Sequence, residues 1–94
     1  MFGVWDENKN RINQRKHGVS FESAVRVFED PNSVSYVERV VDGQERWHTI
    51  GLAGGIIILL VVHGTEEENG EEKVRIISAR KATHYECAFY DAHQ

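Results

Sequence analysis

Seven consecutive apolar residues, Ile56-Ile57-Ile58-Leu59-Leu60-Val61-Val62, stand out from an otherwise mixed chain. A run that is short and apolar on both faces predicts a buried central strand. Around it the periodicity changes. Phe21, Ala24, Val25 and Phe28 fall at i, i+3, i+4 and i+7, which predicts a helix capped by Ser20 and ended by Asp30-Pro31. Val34, Tyr36, Glu38 and Val40 alternate with Ser35, Val37 and Arg39, the pattern of a strand. Asp42-Gly43 signals a hairpin turn, Glu45 to Leu52 the returning strand, and Gly54-Gly55 the turn into the central strand. Residues 73–78 predict a fourth strand, with Arg75 and Ile77 on one face and Ile76 on the other.

The two ends carry weaker patterns. Phe2-Gly3-Val4-Trp5 reads as a short extended lead-in. Asp6 suits the N-cap of a helix reaching about His17, with Gly18 as its left-handed stop. That helix has little apolar content beyond Ile12, so most of its surface is expected to be exposed. Thr83-His84-Tyr85-Glu86 fits a capping box that opens a short C-terminal helix, with Tyr85, Ala88, Phe89 and Ala92 along one side. The expected fold is α+β: two N-terminal helices, a four-stranded antiparallel meander and a C-terminal helix, with the helices on one face of the sheet. Residues 1–94 are read as a single domain.

Composition narrows the classes. A lone cysteine, Cys87, rules out an internal disulfide framework and suits a reducing cytoplasm. On the last helix it reads more simply as a small packing residue than as a nucleophile. No signal-peptide pattern precedes the domain, and seven apolar residues are too few for a membrane span. The net charge of −4 argues against tight, nonspecific nucleic-acid binding, but the charges are unevenly placed. Glu66, Glu67, Glu68, Glu71 and Glu72 crowd around Asn69-Gly70, in what reads as a solvated loop, and without those five acids −4 becomes +1. Residues 9–16 hold Lys9, Arg11, Arg15 and Lys16 and no acid. For a polyanion the local field matters more than the total.

The cations on the last strand are the strongest chemical signal. In Val74-Arg75-Ile76-Ile77-Ser78-Ala79-Arg80-Lys81, Arg75 lies on a strand face, and Arg80 and Lys81 lie where strand gives way to helix. Such a set can grip phosphate, arginine doing so with a rigid fork of donors. It can equally form salt bridges with the many glutamates. Together with an ordered series along the chain, this stretch resembles the BrnT family of bacterial toxins. The series is Trp5-Asp6, Lys9, Asn13, Lys16-His17-Gly18, Phe21, Ala24, Phe28, Asp30-Pro31, Glu45-Arg46, Ile50-Gly51, Arg75 to Arg80, Ala82, Glu86 and Tyr90. The resemblance implies a RelE-like fold and a cytoplasmic ribonuclease toxin of a type II toxin–antitoxin pair that inhibits translation. It also implies a BrnA-like antitoxin as partner, RNA as substrate, promoter DNA reached only through the antitoxin complex, and no membrane.

Cleaving RNA without a metal requires a base for the 2′-hydroxyl, cations for the phosphorane and a proton for the leaving 5′-oxygen. His17, Arg75 and Arg80 are the catalytic candidates. His17 also reads as a helix C-terminal residue that favours the dipole. Lys9, Lys16, Arg46, Lys81 and Trp5 are the RNA-binding candidates. Lys9 and Lys16 share a helix face, though exposed lysines commonly only aid solubility, and Trp5 can stack a base or anchor the first helix. His48, His63, His84 and His93 show no metal-ligand spacing, and no nucleotide or serine-hydrolase motif occurs, so neither metal nor cofactor is expected. The competing reading is a noncatalytic domain that docks a partner through its cationic and aromatic surface.

Overall fold

In the computed structural model the apolar run becomes the centre of a five-stranded sheet; the structure describes residues 3–94. The elements are β1 (Gly3–Val4), α1 (Glu7–His17), α2 (Phe21–Ala24) running into a 3₁₀ turn (Val25–Glu29), β2 (Val34–Val41), β3 (Gln44–Ala53), β4 (Ile57–Glu68), β5 (Glu71–Lys81) and α3 (His84–Ala92). Strand order is β1-β5-β4-β3-β2. The three hairpin-linked pairs are antiparallel, as expected, and β1 adds a parallel pairing, Gly3 with Val74 and Val4 with Arg75.

The expected four-stranded antiparallel sheet is therefore corrected to a five-stranded mixed one. Two residues, one of them glycine, carry no period, and their partner lies some 70 positions away, so no local pattern could mark β1. Of the expected lead-in, Phe2 lies outside the described residues. The expected acidic loop is also corrected: β4 and β5 continue pairing to Glu68 and Glu71, closed by Asn69-Gly70 with φ of 54° and 80°. Asn-Gly with both residues left-handed is a favoured two-residue hairpin turn, which the run of glutamates obscured.

The helices occupy both faces, a third correction. Leu59 and Val61 of β4 pack with Phe21, Ala24 and Val27 on one side. Leu60 of β4 and Ile50 of β3 pack with Tyr90 of α3 on the other, flanked by Val62 and Phe89. A central strand apolar on both faces needs cover on both. The α2 side is close: a Cβ on Gly51 would lie 3.0 Å from the Val27 carbonyl oxygen, so β3 can approach the 3₁₀ turn only because position 51 is glycine.

The thin apolar stripe of α1 has an explanation. Its buried residues are Asn10 and Asn13. The Asn13 amide donates to the Ala79 carbonyl at 2.8 Å and accepts from the Ala79 N–H at 3.2 Å, so it pairs with the open edge of β5 as a strand would. Asn10 accepts from Phe21 N–H and donates to Glu22, tying α1 to α2. Asp6 and Gly18 cap α1 as expected, Gly18 at φ 71°. The result is a helix laid along the edge of β5 with its cations beside the strand.

Candidate nucleic-acid interface

Register places the polar side chains of the α3 face in rows that cross the strands. Val74 and Ile76 point into the α2-side core, so Arg75 between them points to the α3 side. A bulge follows, since Val62 pairs with Ser78 but His63 with Ile76, leaving Ile77 as the extra residue. Beyond it Ser78 and Arg80 share the face of Arg75. On β3, Trp47 pairs with His63, whose ring packs edge-on against Phe28 on the α2 side, so Arg46 and His48 face the other way. Arg39 of β2 pairs with Arg46.

Arg39 pairs with Arg46 and Gly64 with Arg75, and Arg46 and Gly64 lie directly beyond the last β3–β4 pair, Trp47 with His63, so the four fall in one row across the sheet. Strands about 4.8 Å apart put the Arg46 and Arg75 backbones roughly 10 Å apart, with only a glycine between them. A groove of about 250 Å³ opens there, lined by Arg46, Gly64, Arg75 and Ile77, from α1 by Lys9, and at the β2–β3 end by Asp42 and Glu45. An adjoining groove of about 190 Å³ is lined by Lys9, Lys16 and His17 of α1 and by Ile77 and Ser78 of β5. The two share Lys9 and Ile77. Lys16, His17, Lys9, Arg75 and Arg46 therefore border one continuous surface. Among the described residues Arg75 has one ion pair, a loose one, 3.7 Å to Glu66, with both side chains nearly half exposed.

The other candidates lie elsewhere. Arg80 donates two hydrogen bonds to the Glu86 carboxylate, at 2.7 and 2.8 Å. Those bonds hold Glu86 down at about 2, well below the usual carboxylate range, and raise Arg80 further. Glu86 is also the N3 residue of the α3 capping box, so Arg80 fastens the start of α3 to β5. Lys81 turns to a separate groove on the α2 side with Gln14, Ser20 and Ser23. Trp5 packs edge-on against Phe21, ring centroids 6.2 Å apart, and its indole N–H donates to Glu7, so it anchors α1.

Sequence reasoning passed over the row next to the arginines: Tyr36, His48, Val62 and Ser78. The Tyr36 hydroxyl and His48 Nδ1 share a hydrogen bond of 3.1 Å, and burial lowers the imidazole pKa. Alternation would have put His48 and Arg46 on one face, but the partner strands supply the neighbours. His63, by contrast, is buried on the α2 side, pushed down to about 4 by burial and bonded through Nε2 to Thr49. Among the described residues no group of three or more His, Cys, Asp or Glu side chains is arranged to hold a metal, and no helix is long and apolar enough to cross a membrane.

Fold and surface together define a small α+β domain whose open sheet face presents a groove bordered by Arg46 and Arg75. Comparison with known proteins specifies the family. The model of the ribonuclease toxin BrnT of type II toxin–antitoxin systems matches residues 5–86, and the chain belongs to that family. Among solved structures, the 1.1 Å crystal structure of the Brucella abortus ribonuclease toxin BrnT is similar, with 25% sequence identity and a TM-score of 0.59. The match covers 89% of this chain and 100% of that one. No curated protein matches the chain.

Proposed function

We propose that the chain is a metal-independent endoribonuclease, the toxin of a type II pair, which cleaves RNA on the arginine-bordered groove of its α3 face and so inhibits translation. One observation carries the reading: on a chain of a ribonuclease-toxin family, Lys16, His17, Lys9, Arg75 and Arg46 border one surface. Arg75 and Arg46 bind the phosphate and its developing charge, arginine forks being suited to equatorial oxygens. Lys9 and Lys16 hold flanking phosphates, and His17 exchanges a proton at the edge of the groove. Arg80 acts through α3, whose N-terminus it holds beside the site. The partner is a protein antitoxin of the BrnA type that covers this surface in the cytoplasm, and promoter DNA is bound only through that complex.

The test is direct. Purified protein incubated with bulk RNA in EDTA should degrade it, and added antitoxin should stop the reaction. Intact RNA at micromolar folded protein would reject catalysis and leave a domain that only docks a partner. Cleavage that vanishes in EDTA and returns with added metal would reject metal independence alone.

A further inference from the structure

His48 points to the α3 side of the sheet, the face on which RNA cleavage is proposed. It lies in the row beside Arg46 and Arg75, two strands from Ser78, which lines the groove shared with His17. Its Nδ1 is engaged by the Tyr36 hydroxyl at 3.1 Å, and the two rings meet edge-on with centroids 5.4 Å apart. Tyr36 is itself held against Phe89 of α3. The imidazole is thus fixed at one nitrogen and half-buried, and Nε2 has no hydrogen-bond partner among the described residues. A ring oriented through one nitrogen and left open at the other is the arrangement of a proton-transfer group.

We propose that His48 is a catalytic residue of this chain, the base that takes the 2′-hydroxyl proton of the bound RNA. The proposal rests on the reading of the α3 face as an RNA-cleaving site. Nε2 removes the proton, the freed 2′-oxygen forms a bond to phosphorus, and the bond from phosphorus to the 5′-oxygen breaks. The leaving 5′-oxygen takes its proton from His17, the proton-exchanging group of the proposed site. The products are a 2′,3′-cyclic phosphate and a 5′-hydroxyl, with nothing oxidised or reduced and no co-reactant. Tyr36 is a positioning residue, which fixes the ring through Nδ1.

The surroundings keep the base neutral. Burial lowers the imidazole pKa, and the positive charges of Arg80 and Arg39 act in the same direction, opposed by Glu38 and Glu86. Those groups come from β2, β5 and α3; β4 contributes only Val62 to the row. Arg46 flanks His48 on its own strand, and Lys9 and Lys16 are the cations beside His17.

Cleavage rates of the wild type, His48→Asn, His48→Gln, Tyr36→Phe and His17→Ala, measured from mildly acid to mildly alkaline pH with melts of each variant, decide the matter. Asparagine keeps an amide near Nδ1 for Tyr36 and lacks Nε2. His48→Asn and His48→Gln should each lose about 10²–10⁴-fold in rate while folded, with the acidic limb of the pH–rate profile gone. His17→Ala should instead lower the rate with the acidic limb kept. Tyr36→Phe should keep the acidic limb and shift its midpoint. If whichever His48 variant folds cleaves within about tenfold of wild type with the acidic limb intact, the base is another group and RNA cleavage still stands. A folded wild type that leaves RNA intact overturns the cleavage reading, and the proposal with it.

Discussion

At the scale of single residues, the proposed chemistry turns on Arg75 and Gly64. Arg75 faces open solvent with only a loose partner, Glu66, so its fork is available to a phosphate. Arg75→Ala should lower cleavage by about 10²–10³-fold, the scale of losing one transition-state donor. Arg75→Lys should recover only part of this, because a point charge does not reproduce the fork. Activity assays on variants with unchanged melts check both. Gly64 matters for what it leaves empty. A Cβ there meets nothing closer than 3.7 Å, so the fold tolerates a side chain. Gly64→Val would nevertheless stand between Arg46 and Arg75. The variant is expected to fold normally and lose RNA binding and cleavage, and unimpaired cleavage would show that substrate does not cross this row. The arginines were visible in the sequence because their residue type announces anion chemistry. Gly64 and His48 were not, because their meaning comes from cross-strand register, and a bulge at Ile77 reset which β5 residues share a face.

At the scale of elements, α3 is held by two polar clasps. Arg80 chelates Glu86 at its N-terminus. Near its other end the Tyr90 hydroxyl donates to Asp30 at 2.6 Å, and Asp30 also accepts from Leu52 N–H. Burial works against the Asp30 charge, but hydrogen bonds from Tyr90, Leu52 and Asn32 outweigh it and hold the carboxyl below its usual value. Tyr90 is correspondingly pushed up to about 12 by that bond. The Glu86 clasp has a definite pH signature. A carboxyl at about 2 when folded, against 4.5 ordinarily, stabilises the fold above the ordinary value, and that contribution is lost as pH falls from there through the folded value. Discounted for the partial exposure of Arg80, it is worth about 2 kcal/mol at neutral pH. Glu86→Gln should lower the melting temperature at neutral pH, with the difference from wild type closing in strong acid. A pH-independent difference would mean that the loss is one of packing and capping. The capping box and the short helix were legible because their signals are local. The face on which α3 would pack was legible only in part: β4, apolar on both faces, required cover on both sides, yet a meander with all helices on one side seemed simpler.

Charge separation across the whole molecule reconciles a net charge of −4 with a face bordered by cations. The acids lie on the projecting end of the β4–β5 hairpin, where Glu67 pairs with Glu72 and Glu68 with Glu71. Like charges directly opposite destabilise a ribbon by a few tenths of a kcal/mol to about 1 kcal/mol per pair. The hairpin therefore keeps its acids against local stability, held by the Asn69-Gly70 turn and the Lys73–Glu68 ion pair. The sequence revealed the cluster but not its structure, because charge density suggested a loop while the turn dipeptide specified a ribbon. Replacing Glu67, Glu68, Glu71 and Glu72 together by glutamine would bring −4 to 0 without touching the groove. Two effects should follow. The melting temperature should rise, because the relief of two like-charge pairs exceeds the loss of one surface ion pair, Lys73–Glu68. Affinity for RNA of any sequence should also rise at low salt, because the long-range field near Arg75 becomes less negative, and the gain should fade as salt screens the removed charges. The slope of binding against salt should stay nearly constant, since the number of phosphates contacted is unchanged. Fluorescence titrations of labelled RNA over a salt series, beside melts of both proteins, would measure all three quantities. A steeper slope would indicate that RNA reaches the hairpin itself and that the binding surface is larger than the groove between Lys16 and Arg46.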